Sequence, residues 1–145
     1  MKTRLAPLLA LFLTFSFFGN ALGQVSPNLT DNQLIVSPNG PYTTIESALN
    51  DARDGDVIEV RGGVYRTSLV VKKSVTLEGV GNPVIDGGGV GTVVMLSAPQ
   101  IVLRGFEIRH SGNEPDFDHS GIIINAANVT VENNHISPIP LDNLG

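Results

Sequence analysis

The sequence predicts an all-β solenoid, with short parallel strands stacked coil upon coil behind one short N-terminal helix. Three observations predict it. The triplets "VTL" (75–77), "IVL" (101–103) and "VTV" (129–131) recur at spacings of 26 and 28 residues, followed by turn-forming Gly79, Gly105 and Asn133. Each triplet has a strand-like segment upstream, "LVV" (69–71), "VVML" (93–96) and "IIIN" (122–125), and another downstream, "PVID" (83–86), "FEIR" (106–109) and "NHIS" (134–137). The composition agrees: of 145 residues 41% are apolar but only 6% aromatic, and there are 16 Gly, a turn-rich β profile.

Along the chain, residues 1–23 come first. Lys2 and Arg4 precede an apolar run from Leu5 to Phe18, and small residues follow at Ala21 and Gly23. Fourteen positions fall short of the roughly 20 that span a bilayer, so the segment is expected to be a secretory signal cleaved near Gly23. The expected location is periplasmic or secreted, with no transmembrane anchor after cleavage. Losing Lys2 and Arg4 leaves 7 basic against 14 acidic residues and moves the formal charge from −5 to −7. That acidity argues against nucleic acid as a partner. The lack of cysteine excludes disulfides, thiolate ligands and a cysteine nucleophile.

Residues 24–33 are polar and form a linker; residues 34–66 are expected to build an N-terminal cap and the first strands. Within the cap a helix is expected over about 43–54. Thr43 and Glu46 form a capping box, Ile45, Ala48, Leu49 and Ala52 recur at helical spacing, and Gly55 supplies a left-handed stop. Its apolar face must cover something, and the first end of a stacked sheet structure suits it.

Residues 67–137 then hold the coils, about three of them. Three short strands cannot bury their side chains within one coil, so coils stack in register about 4.8 Å apart. In that register Val75, Ile101 and Val129 form one inward ladder and Leu77, Leu103 and Val131 another, while Thr76, Val102 and Thr130 face outward. The strand breaks at Gly105 because the coil bends there, and Gly79 and Asn133 are expected to turn the same corner with left-handed backbone. Residues 138–145, "PIPLDNLG", abandon the repeat, and Pro138 and Pro140 cannot donate to a ladder. The reading is a chain truncated from a longer protein.

Chemistry-bearing residues concentrate in the insert "HSGNEPDFDHSG" (110–121), which carries His110, Glu114, Asp116, Asp118 and His119. Oxygen ligands at i and i+2 suit Ca²⁺, and carboxylate with imidazole suits copper or zinc. The composition equally describes a solvated acidic loop, the favoured reading for a solenoid insert. His135 aligns with Glu107 one coil earlier, both outward. Glu107, His110, Asp116, Asp118, His119 and His135 are therefore the candidate binding residues; none is assigned a catalytic role, and the metal stays open. Met95 could act as a soft ligand but sits in an apolar strand and is expected to pack. "GGGVG" (87–91) leads into no Gly-Lys-Ser/Thr and no helix, so it is a turn and no phosphate loop.

The segment "YTTIESALNDARDGDVIEVRGGVY" resembles the N-terminal cap and first coil of right-handed parallel β-helix proteins, the superfold of pectate lyases, pectin methylesterases and carbohydrate-binding or sugar-hydrolysis repeats. "VTLEGVGNPVIDGGG", "IVLRGFEIRHSGNEPDFDHSGIII" and "NVTVENNHI" more particularly resemble the NosD family of periplasmic β-helix proteins, over about residues 34–137. That resemblance implies a non-catalytic accessory protein for maturation of nitrous oxide reductase, working with an ABC transporter in supplying the copper site. The alternative is a polysaccharide lyase, a glycosidase or a carbohydrate-binding β-helix. Glycoside hydrolysis needs two carboxylates roughly 5–9 Å apart across a cleft, whereas Asp116 and Asp118 share one loop. A sugar-binding surface would want outward aromatic residues, and four of the six Phe lie in the signal segment.

Overall fold

The computed structural model describes residues 33–113 and 119–137. Residues 1–32, on which the expected signal segment falls, 114–118 at the centre of the acidic insert, and 138–145 lie outside the described residues. Strand β1 (Leu34–Val36) leads through a turn into helix α1 (Ile45–Asp51). The next turn of chain supplies β2 (Val57–Arg61), β3 (Val64–Arg66) and β4 (Leu69–Val71). The one after it supplies β5 (Thr76–Val80), β6 (Val84–Asp86) and β7 (Val94–Leu96). Strands β8 (Val102–Arg104), β9 (Glu107–Arg109) and β10 (Ile122–Ile124) follow, then β11 (Thr130–Glu132) and β12 (His135–Ile136).

All these strands pair in parallel. The first sheet runs β1-β2-β5-β8-β11, the second β3-β6-β9-β12 and the third β4-β7-β10, which makes a parallel β-solenoid of about four turns. The coils expected over 67–137 number about three; the strands expected within 34–66 include β2 and β3, and with β4 they complete a further turn that gives one strand to each sheet. The expected register holds: Leu77 pairs with Leu103 and Leu103 with Val131, while Thr76, Val102 and Thr130 share the outward column.

Alternation explains the core. Leu34, Ile58, Leu77 and Leu103 stack inward from the first sheet, Tyr65, Ile85 and Ile108 from the second, and Leu69, Val94, Val71 and Leu96 from the third; all are buried. Each buried aliphatic side chain contributes about 1.5–3 kcal/mol relative to exposure, so cysteine-free cohesion rests on these ladders. In the last described coil Val131 and Ile136 continue the same columns yet are 36% and 51% exposed.

Helix α1 stands where the first turn would otherwise place further strands, and it packs on β1, β2 and β4. Ile45, Ala48 and Leu49 are buried, as is Ala52 just beyond it. Its N-cap is Thr44 rather than Thr43: the extended Thr44 accepts a hydrogen bond from the Ser47 amide at 3.2 Å. Glu46, expected to close a capping box, instead accepts from the Thr67 hydroxyl in the next turn of chain. The helix also stops earlier than expected. Ala52 is already extended, and Gly55, left-handed at φ 93°, sits three residues later with its amide donated to the Ser74 carbonyl at 2.7 Å. The carbonyls of Asn50 and Ala52 are satisfied by Lys73 Nζ, at 2.8 and 2.6 Å.

The corner between the first and second sheets also differs in one turn. Gly105 and Asn133 are left-handed, at φ 79° and 54°, but Gly79 continues strand β5 and the left-handed positions there are Gly81 and Asn82. The longer β5 delays the bend by two residues. No helix among the described residues is long and apolar enough to cross a membrane.

Candidate functional site

The second sheet carries Glu107 and His135, two of the residues singled out from sequence. Its register stacks Val84, Glu107 and His135 in one column and Arg66, Asp86 and Arg109 in another. Ile85 and Ile108 between them point inward, so both columns belong to the outward face. Asp86 is nevertheless only 5% exposed, the one polar or charged residue that is buried among those described.

What buries Asp86 is the glycine-rich turn that follows it. The turn folds back so that the Gly88 amide donates to Asp86 Oδ1 at 2.9 Å. From the coil above, Arg109 Nε meets Asp86 Oδ2 at 3.2 Å and His110 Nδ1 meets Oδ1 at 3.0 Å. Backbone bonds fasten this arrangement: the Gly87 amide donates to the Arg109 carbonyl at 3.0 Å, Gly89 to His110 at 2.8 Å, and Gly112 to Gly91 at 2.8 Å. Glycine is required at 87, where a Cβ would lie 2.7 Å from the His110 carbonyl oxygen. His110 itself is left-handed, at φ 54°, which swings its ring toward the turn below.

Burial alone would raise the Asp86 pKa. The Gly88 amide, His110 and Arg109 outweigh that effect and hold the carboxyl below the usual carboxylate range. With both oxygens engaged by donors, Asp86 is a fixed acceptor that organises its neighbours. Arg109 also reaches Glu107 Oε1 at 3.4 Å, tying the two columns together.

Of the residues singled out from sequence, Glu107 and His135 are adjacent in register, and both line an open groove of about 220 Å³ with Asn82, Gly105, Phe106 and Asn133. His110 joins the same face through Asp86 and Arg109. His119 lies at the other foot of the insert, its ring close over Gly112. Glu114, Asp116 and Asp118 lie outside the described residues. Met95 occupies the outward column of the third sheet between Val70 and Ile123, partly buried among aliphatic neighbours. Among the described residues no three His, Cys, Asp or Glu side chains come together as a group that could hold a metal ion.

The sequence reading passed over Asp86 and Arg109. A signal existed, since aligning "PVID" with "FEIR" sets Asp86 level with Arg109, and "DGGG" places three glycines behind the carboxylate. Chemically the face can offer a partner the Glu107 carboxylate and the His110 and His135 imidazoles on a stiff parallel sheet. It is a prepared surface and not a cleft. No protein-family model matches the chain, and no curated protein matches it either. Fold and face together define a parallel β-solenoid of short coils whose second sheet carries a buried carboxylate held by Arg109 and His110.

Proposed function

We propose that this chain is a non-catalytic binding scaffold of the NosD type, exported to the periplasm, where it assists maturation of the copper site of nitrous oxide reductase alongside an ABC transporter. The observation that carries the reading is the second sheet. Residues from successive coils converge there on a buried carboxylate whose hydrogen bonds hold the surface in one conformation before any partner arrives. The resemblance of the coil motifs to that family supplies the particular role. A scaffold of this kind recognises its partner through the face itself, with Glu107 and His135 as the polar contacts beside the small groove.

The test is an in-frame deletion in the native host, followed by purification of nitrous oxide reductase and measurement of its copper content. The expected result is reductase deficient in copper, restored by the wild-type gene and restored poorly by a Glu107→Ala/His135→Ala double variant. Fully loaded reductase from the deletion strain, or a host with no such enzyme, would overturn the proposal. Retention of the purified protein on immobilised pectin or other plant polysaccharides would point to the carbohydrate-binding alternative.

A further inference from the structure

We infer that His110 is a metal-binding ligand of this protein, with Asp86 as the positioning residue that presents its Nε2 lone pair to a divalent transition-metal ion. This goes beyond the scaffold role and stands on its own geometry. An ionised carboxylate can only accept hydrogen bonds. The Asp86 side chain is fully engaged by the Gly88 amide, Arg109 Nε and His110 Nδ1, and the last lies 3.0 Å from Oδ1. The proton of a neutral His110 ring must therefore sit on Nδ1, and Nε2 must carry the lone pair. That is the arrangement in which a carboxylate behind an imidazole fixes its tautomer and ring orientation.

The surroundings favour this histidine. Its side chain is 42% exposed while the Asp86 side chain is only 6% exposed, so the orienting carboxylate is sheltered and the ring remains accessible. The left-handed backbone at φ 54° and the Gly89-to-His110 hydrogen bond of 2.8 Å hold the ring's attachment point in place. His135 has Glu107 as its register neighbour, but Arg109 already draws on that carboxylate and His135 is on the exposed strand β12.

Imidazole nitrogen suits copper and zinc, and resident sites for these ions usually take three or four protein ligands. The described residues offer no such group. His110 therefore acts as one anchoring ligand, and the other coordination positions are left to water or to donors brought by a partner. A metal held this way is exchangeable.

The experiment uses the whole chain, ¹⁵N-labelled, with ZnCl₂ as the probe. Histidine ring ¹⁵N shifts near neutral pH should show His110 as the Nδ1–H tautomer. Zinc should shift the His110 ring resonances at lower concentration than those of His119 or His135. Asp86→Asn should weaken binding at His110 by about 10-fold or more, and His110→Gln should abolish that first phase while leaving the far-ultraviolet circular dichroism unchanged. An Nε2–H tautomer at His110, equal zinc response at all three histidines, or unchanged affinity in D86N would overturn the inference. Should D86N fail to fold, the wild-type tautomer and the H110Q titration still decide it. Zinc binding at His110 with a fully loaded reductase in the deletion strain would separate this inference from the maturation role.

Discussion

Gly79 and Gly105 meet across adjacent coils with no room between them: a Cβ on Gly105 would lie 2.5 Å from the Gly79 carbonyl oxygen, and one on Gly79 would lie 2.7 Å from the Gly105 carbonyl carbon. The solenoid can turn this corner only because neither residue has a side chain. Gly79→Ala should cost about 2 kcal/mol by overpacking. Gly105→Ala should cost roughly 3 kcal/mol, since Gly105 also sits at φ 79°, where a side chain adds about 1–2 kcal/mol. Gly55→Ala is the control: it shares a positive φ, but nothing lies within 4 Å of its added Cβ. Urea unfolding of the three variants checks the order, and a Gly105→Ala midpoint equal to that of Gly55→Ala, which shares the positive φ but not the contact, would contradict the steric argument.

The coil corners also mark the limit of what the sequence made legible. Periodicity of two within each strand and about two dozen residues between strands placed Leu77, Leu103 and Val131 in one column without any structure. It could not locate the bend in the coil of β5, because Gly79 and Gly81 are both plausible left-handed residues and only strand length separates them. Nor could it distinguish Thr43 from Thr44 as the cap, because that depends on which rotation of the helix faces Ile45 and Leu49 to the core. Asp86 was obscured for a different reason. Its partners come from a turn two residues on and from a coil more than twenty residues away, and a buried outward carboxylate runs against the simple alternation rule.

Acid should act on the protein through Asp86. Its folded pKa is lowered from an ordinary 3.8 despite burial, because the Gly88 amide, His110 and Arg109 favour the charged form. The sign follows from linkage. A depressed carboxyl contributes stability that is present above the unfolded-state pKa and is lost as pH falls through the folded one. Thermal melts should therefore show the wild type losing stability as pH drops below about 3.8. D86N should already be less stable at neutral pH, by about 2 kcal/mol, with a shallower loss over the same acidic range. Parallel pH profiles for the two proteins would show that Asp86 is not the group involved.

Lys73 should matter more than its place on a coil turn suggests. Its ammonium donates to the Asn50 and Ala52 carbonyls at the end of α1, which the missing left-handed cap leaves without helical partners. Lys73→Met keeps the aliphatic stem and removes the donors. It should destabilise the protein by about 1–2 kcal/mol and raise amide exchange in α1 before it does so in β8 or β9. Uniform loss of protection across both regions would assign the effect to global stability alone.

Arg104 and Asn134 allow a sharper comparison, because both reach neighbouring coils. Arg104 lies in the outward column with Glu78 and Glu132, at 3.1 and 3.8 Å, and its side chain is 41% exposed. Arg104→Met should cost at most about 1 kcal/mol and less in high salt. Asn134 instead brackets the Gly105 corner beneath it: Oδ1 accepts from the Phe106 amide at 3.0 Å and Nδ2 donates to the Leu103 carbonyl at 2.9 Å. Losing both bonds in Asn134→Ala should cost about 2 kcal/mol, insensitive to salt. Asn134→Asp separates the two bonds. At neutral pH its carboxylate still accepts from Phe106 but faces the Leu103 carbonyl with no proton to donate. The folded pKa of the introduced group should thus be raised, so its contribution is recovered below the unfolded-state pKa and lost as pH rises through the folded one. Acidification should then narrow the gap between N134D and wild type. A gap that stays constant from neutral pH into the acid range would mean that the bond to Leu103 contributes nothing to holding the corner.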